Sequence, residues 1–179
     1  QGATERIPAI DDWTNAQIGI DFPHHEVHEE NHYYIEGWVE LDTDDTLFVK
    51  LVTPDTVVWS HFKWDIGGTG ITITTFDEVA TGGMTGGSGV TPLNNDRNSS
   101  NTSGMVLTSG VTNADSYTTR IGNTKFGTAT SPQRAIGGSS GREDEIILKQ
   151  NTTYLRTFIS ESDNNYVSFK AFWYEHTNK

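Results

Sequence analysis

The stretch that decides the fold is EIILKQNTTYLRTFISESDNNYVSFKAFW, residues 145–173. Within it, runs 145–149 and 153–159 are rich in strand-forming residues, and turn-forming residues separate the runs. In the last run one face collects apolar side chains at every second position: Val167, Phe169, Ala171 and Trp173. A period of two residues is the spacing of side chains along one face of a β-strand. We therefore predict three strands here, of which the last two form a hairpin.

Upstream segments have the same character. Strand-like runs are found at 32–41, 46–52, 57–66, 71–74, 105–108 and 116–121. The first two flank an acidic turn, 42–45, and are predicted to form another hairpin. The chain holds 25 Thr and 19 aromatic residues, and no segment of ten residues has helical apolar spacing. These features predict an all-β protein, an antiparallel β-sandwich of about eight strands spaced as in jelly rolls, with negligible helix.

Domain organisation follows from changes in composition along the chain. Residues 1–22 lack a sustained period and carry scattered apolar residues, which predicts an extended N-terminal arm. With 179 residues in all, 23–179 is expected to form a single sandwich domain. Within it, 81–141 is an excursion rich in Gly, Thr and Asn, which favours long loops between strands.

Charge and composition exclude several classes of function. The formal net charge is −12 and no run of Lys or Arg is present, so nucleic-acid binding through a basic face is not expected. No apolar run reaches the roughly 18 residues of a membrane span, and no secretory leader is recognised at the N-terminus. We therefore expect a soluble chain that binds neither nucleic acid nor membrane. The absence of cysteine removes disulfides, Cys-ligated metals and thiol nucleophiles.

A histidine-rich segment, HHEVHEENH at 24–32, is the most conspicuous cluster of metal-ligand residue types. Imidazole and carboxylate together suit zinc, copper or nickel. The flanking prolines and the strand that follows favour an extended backbone, in which residues four apart lie roughly 13 Å from each other. We predict no metal site; His24, His25, His28 and His32 are the candidates, with His61 and His176 as possible additions. Packing, or titration near a subunit contact, is the alternative role.

No catalytic set is recognised. Carboxylates are so abundant that no pair stands out as a glycosidase pair, and neither a nucleophile elbow nor a phosphate-binding loop is present. The acidic turn 42–45 resembles a calcium loop only in its charge, because it lacks the EF-hand pattern. We predict no catalytic residue and no cofactor. Aromatic residues expected on solvent-facing sides of strands, which suit sugar stacking or subunit contact, are Trp59, Tyr154, Tyr166 and Tyr174.

Four segments in order carry a resemblance to a known family. They are His24–Val27 (HHEV), 93–99 (LNNDRNS), 141–149 with 151–154 (GREDEIILK, NTTY) and 173–176 (WYEH). In this arrangement, over about residues 22–176, the chain resembles small virion proteins of tailed bacteriophages, of which the better-assigned members are capsid decoration or cement proteins.

The resemblance implies a non-enzymatic jelly-roll protein on the outer capsid surface of a virion. Such a protein would be a homo-oligomer, a trimer in many members, that binds the major capsid protein. Residues expected to contact the capsid or a sister subunit are Trp13, Ile18, Ile20, Phe22, His24, His25, Trp59, Tyr174 and His176. Trp173 is expected in the core.

Two alternatives stay open. The first is a carbohydrate-binding or receptor-binding sandwich of a phage head or tail appendage, with exposed Trp and Tyr as a stacking platform. The second is a glycan-cleaving enzyme, which needs two convergent carboxylates in a pocket.

Overall fold

The computed structural model describes residues 22–79, 83–112, 117–128, 136–138 and 144–177. One short helix, α1 (Phe22–His28), precedes the strands. The strands of the first half are β1 (His32–Leu41), β2 (Thr46–Val52), β3 (Val58–Gly68), β4 (Thr72–Val79), β5 (Ser88–Val90) and β6 (Leu93–Asn94). Those of the second half are β7 (Val106–Ser109), β8 (Tyr117–Phe126), β9 (Ile136–Gly138), β10 (Ile146–Leu148), β11 (Thr153–Ser160) and β12 (Asn165–Thr177).

The strands form two antiparallel sheets with jelly-roll order. Sheet 1 contains β10-β3-β12-β1, extended by β6 beside β1 and by β9 beside β3. Sheet 2 contains β2-β11-β4-β8, extended by β7 beside β2 and by β5 beside β7. If the short strands β5, β6, β7 and β9 are set aside, the remaining eight have the strand order of two interlocked Greek keys, which defines a jelly roll. The predicted fold class is therefore confirmed, and the four short strands are additions to it.

The two predicted hairpins are wrong. β1 and β2 are joined by a short acidic turn but lie in different sheets, and the same holds for β11 and β12. β1 pairs with β12 along its whole length, from His32 opposite Tyr174 to Leu41 opposite Asn165. In a jelly roll the short turns cross the end of the sandwich, so strands that follow each other in the chain pack face to face. Alternation of apolar residues is the same in both arrangements, because each strand has one buried face either way.

The core lies between the sheets and is strongly aromatic. Phe62 of β3 stacks on Phe76 of β4 and on Trp173 of β12, with ring centroids 5.9 and 5.8 Å apart. Tyr154 stacks on Phe76 from β11. Trp173, predicted in the core, is fully buried, and its indole Nε1 donates a hydrogen bond of 2.9 Å to Glu175. Val167 and Ala171 are also fully buried, which confirms the predicted apolar face of the last strand.

Tyr154 was expected to be solvent-facing, and that expectation is wrong. β11 is covered on both faces: Tyr154 packs in the inter-sheet core, and Leu155 packs on the opposite face with Val79 and Val111. The face that carries Leu155 is covered by Val111 and Met84, which belong to the excursion that follows β4. Because both faces of β11 are buried, alternation along this strand does not identify which face meets the core.

The excursion carries more structure than loops alone. Strands β5 to β8 all lie within 81–141, and β8 alone has ten residues. Met105 and Leu107 of this segment are buried in the inter-sheet core. Of the predicted arm, only Phe22 lies in the described part of the chain, where it begins α1; Trp13, Ile18 and Ile20 lie outside it.

Candidate functional site

Residues within or close to the segments that carry the resemblance are joined by polar contacts at one end of sheet 1. Asn94 donates from Nδ2 to the carbonyl oxygen of Glu30, just after α1, at 2.8 Å. The amide of Glu175 donates to the carbonyl oxygen of Asn31 at 3.0 Å. The hydroxyl of Tyr174 donates to Oε1 of Glu145 at 2.7 Å. Residues far apart in sequence are thus joined by specific polar contacts, which gives these motifs a structural role.

The outer face of sheet 1, the side turned away from the core, is the candidate functional site. Successive side chains of a strand point to opposite faces of the sheet. Ile35, Phe62 and Trp173 point into the core, so the residues next to them in β1, β3 and β12, and every second residue from there, lie on the outer face. Its aromatic and imidazole side chains are His32, Tyr34, Trp38, Trp59, His61, Tyr166, Phe172, Tyr174 and His176. An outer face with this many rings differs from the polar face that a solvated antiparallel sheet normally carries.

At one end of this face lies the most exposed aromatic pair. Trp38 of β1 is 71% exposed and Tyr166 of β12 is 46% exposed, with ring centroids 5.9 Å apart. The neighbouring carboxylate of Glu40 raises the pKa of Tyr166 above its ordinary value. Trp38 was not singled out in the sequence, although its position between Glu36 and Glu40 on an alternating strand places it on the solvent side.

The middle of the face combines charge with aromatic rings. Lys170 lies over the ring of Tyr34 at 4.8 Å and also approaches the carboxylate of Glu36 at 3.8 Å. Lys63 lies over the ring of Phe172 at 5.0 Å. Contacts of this kind between a cation and a ring hold the side chains in place at a partly exposed surface. The face is therefore an ordered surface of alternating cations and rings.

The other end of the face holds a histidine cluster, made of His61, Glu145, Tyr174 and His176. His61 Nδ1 lies 2.6 Å from Glu145 Oε1, and both side chains are mostly buried. The ring of Tyr174 stacks on that of His61 at 4.5 Å. Tyr174, expected to face outward, is on the outer face but only 4% exposed, because neighbouring rings and Glu145 cover it. Glu145 was not foreseen as a member of this cluster.

The histidine-rich segment begins as a helix, although an extended backbone was expected. Residues Phe22–His28 form a helix, whose first turn accommodates Pro23 because that position has no intrahelical acceptor for an N–H. His24 and His28 therefore share a helix face, with their Nε2 atoms 3.0 Å apart. His32 lies apart from them on β1, buried beside Phe172 and Tyr174, and this burial lowers its pKa. His25 is exposed, with Glu29 within 3.7 Å.

The acidic turn between β1 and β2 is hydrogen-bonded to the turn between β11 and β12. The amide of Asn164 donates to Oδ1 of Asp42 at 3.0 Å, and the amide of Thr43 donates to Oδ1 of Asp163 at 3.1 Å. Hydrogen bonds from the side chain of Thr43 and from its backbone amide lower the pKa of Asp163. Within the described ranges, no group of three or more His, Asp or Glu side chains is placed to hold a metal ion.

Trp59 and His176, both expected at an interface, are partly exposed on the outer face of sheet 1 and lie opposite each other in the register of β3 and β12. In the described part of the chain, no helix has the length and apolar character needed to cross a membrane. Comparison of the chain with family models, with curated proteins and with solved structures found no match.

Proposed function

We propose that the chain is a non-enzymatic structural protein of a phage virion, which binds the outer surface of the capsid as a homotrimer and cements the lattice of the major capsid protein. The observation that carries this proposal is the aromatic outer face of sheet 1, with Trp38 and Tyr166 exposed at one end. Tryptophan and tyrosine are enriched in the energetically dominant parts of protein interfaces. The sequence resemblance supplies the choice of partner.

The physical properties of the chain support the same proposal. Jelly rolls are common in viral capsid domains, and two sheets packed on one core suit a unit that bridges neighbouring subunits. The aromatic surface offers large contact area at low cost in side-chain entropy. The net charge of −12 favours solubility of free subunits present in many copies.

The test combines molar mass with capsid binding. Light scattering of the purified chain is expected to give three times the chain mass of 19.8 kDa. Mixed with capsids that lack it, the protein is expected to sediment with them. Trp38→Ser should weaken that binding about 30-fold or more, the effect of losing about 2 kcal/mol at an interface hot spot. A monomer that does not sediment with capsids would refute the proposal.

A matched control separates the outer face of sheet 1 from exposed apolar surface in general. Val106, on β7 of sheet 2, is 60% exposed and therefore presents a comparable apolar group elsewhere on the molecule. Val106→Ser should leave oligomeric state and capsid binding unchanged. Equal losses in the Trp38 and Val106 variants would show that the outer face of sheet 1 has no special role.

A second candidate function, carbohydrate or receptor binding, is favoured by the same aromatic pair. Trp38 and Tyr166 form an exposed platform of two rings inclined at 49°. Sugar rings stack on such surfaces through their apolar C–H faces. A glycan-array signal that disappears in Trp38→Ser and persists in Val106→Ser, from a protein that ignores capsids, would favour this function over the first.

A further inference from the structure

Two histidines meet within the histidine cluster on the outer face of sheet 1. His61 projects from β3 and His176 from β12, on neighbouring strands, where Tyr174 is the residue directly opposite His61. Their Nε2 atoms lie 2.9 Å apart and their ring centroids 4.7 Å apart. The two rings are therefore held with one nitrogen of each directed at the same point.

The second nitrogen of each ring is also held in place. His61 Nδ1 lies 2.6 Å from the carboxylate oxygen Oε1 of Glu145, and His176 Nδ1 lies 3.0 Å from the carbonyl oxygen of Thr177. Both of these partners are acceptors, and the Tyr174 hydroxyl, 3.0 Å from His61 Nδ1, gives its own proton to Glu145. The tautomer with a proton on each Nδ1 therefore satisfies all of these contacts. In neutral rings both Nε2 atoms then present lone pairs to each other. A carboxylate or a backbone carbonyl on Nδ1 is the arrangement that orients histidines bound to metal ions.

Lone pairs that face each other at this distance repel unless a cation lies between them. A proton meets this need if one ring becomes an imidazolium, or if His176 gives up its hydrogen bond to Thr177 and carries its proton on Nε2. A metal ion meets it with both rings neutral and both Nδ1 contacts kept. We propose that His61 and His176 bind a divalent transition-metal ion through their Nε2 atoms, with Glu145 as the residue that orients His61. This proposed metal site does not depend on capsid binding and is tested separately.

The geometry indicates the class of ion. With metal–nitrogen bonds of about 2.05 Å, a separation of 2.9 Å corresponds to an angle near 90° at the ion, whereas a tetrahedral angle requires about 3.3 Å. Right angles are typical of tetragonal Cu²⁺ and Ni²⁺, and imidazole sites bind Cu²⁺ most tightly among the divalent ions of this series. Among the described residues no third protein ligand converges on this point, so water completes the coordination.

The second histidine pair provides an internal control. His24 and His28 on α1 also have their Nε2 atoms close together, at 3.0 Å, but they are exposed and belong to one short helix. The variant His24→Gln/His28→Gln removes this pair and leaves the histidine cluster intact. It therefore distinguishes binding at His61 and His176 from binding at the helix.

The test is a Cu²⁺ titration of the full chain, made without a histidine tag and freed of metal with a chelator. Calorimetry gives stoichiometry and affinity, and electron paramagnetic resonance counts the nitrogens bound to Cu²⁺. In the His24→Gln/His28→Gln variant we expect one ion per chain with two nitrogen ligands. A further His176→Gln change should lower the affinity at least tenfold and remove one nitrogen from the spectrum. Glu145→Gln should lower the affinity about 10–100-fold with both nitrogens retained.

Thermal unfolding in the presence of chelator checks that each variant is folded. If Glu145→Gln is unstable, His176→Gln, near the end of β12, still tests the metal site. Three results would overturn the proposal. They are no binding of Cu²⁺ by the folded wild-type chain, loss of all binding in His24→Gln/His28→Gln, or unchanged affinity and spectrum when His176→Gln is added.

Discussion

Replacement of Asn165 by alanine is expected to destabilise the sandwich strongly, because its side chain links two turns at one end. Asn165 is 1% exposed and begins β12. Its Oδ1 accepts from the amide of Gly70 at 2.7 Å. Its Nδ2 donates to Thr72 Oγ1 at 2.9 Å and to Ser160 Oγ at 3.0 Å. The amide thus joins the segment between β3 and β4 to the end of β11.

The magnitude follows from these three hydrogen bonds. Each buried hydrogen bond contributes about 1 kcal/mol net, so Asn165→Ala should lower the free energy of unfolding by about 3 kcal/mol. The amide of Gly70 loses its acceptor, which makes this figure a lower bound. For a chain of this length, 1 kcal/mol corresponds to roughly 2–4 °C, so the melting temperature should fall by about 6–12 °C.

Urea denaturation followed by tryptophan fluorescence measures the effect, with the m-value required to stay constant. Ser168→Ala is the matched control, because Ser168 is exposed three residues along the same strand and should change stability by less than about 0.5 kcal/mol. A loss below about 1 kcal/mol in Asn165→Ala at unchanged m-value would refute the reasoning that this side chain holds the turns together.

Three further predictions concern the backbone, a buried cation and pH. Gly127 has φ of 103°, and an added Cβ would clash with the carbonyl oxygen of Gly70, whereas Gly86 has φ of 70° with open space around it. Gly86→Ala should cost about 1–2 kcal/mol of left-handed strain and Gly127→Ala should cost well over that. Equal melting temperatures for the two variants would contradict this. Burial lowers the pKa of Arg156 to about 10, which disfavours its charged form by roughly 3 kcal/mol at neutral pH. Arg156→Met should therefore raise the free energy of unfolding, measured by urea denaturation, by about 1–3 kcal/mol. A loss of stability would show that the contacts of Arg156 with the core rings outweigh the cost of its burial. Burial holds the pKa of His32 below its ordinary 6.5. Its contribution to stability is therefore fully present above pH 6.5 and is lost as pH falls through the folded-state pKa. His32→Gln should make the unfolding free energy decline less steeply as pH falls below 6.5, and an identical pH profile would exclude this role.

The strands were predictable from sequence because each has a repeating contrast between its two faces. The alternation in β12 correctly placed Trp173 in the core, and the fold class followed from the number and spacing of such runs. Pairing was not predictable, because a short turn such as 42–45 joins partners within one sheet or neighbours across two sheets equally well. The deciding information lies in contacts between residues more than a hundred positions apart, such as Ile35 with Ala171.

The candidate site was predictable in part. Trp59 and His176 were placed on a solvent-facing side, where they are found, and the same parity argument applied to β1 identifies Trp38. Glu145 was not predictable, because its role depends on β10 lying beside β3, which brings its carboxylate to His61. The α1 helix was missed because seven residues carry too little periodicity to outweigh the proline and the strand that follows.

The central position of β12 has a consequence for how the protein is made. β12 is the last strand in chain order and lies between β1 and β3, so these two strands have no common neighbour until it arrives. During translation, residues up to Ser160 leave the ribosome with sheet 1 split in two and the ring of Trp173 missing from the core. Such a nascent chain exposes unpaired strand edges for as long as the last strand takes to be synthesised. Sheet 1 can therefore be completed only after β12 has left the ribosome, and shortening the chain from β12 should produce aggregation in place of a smaller folded domain.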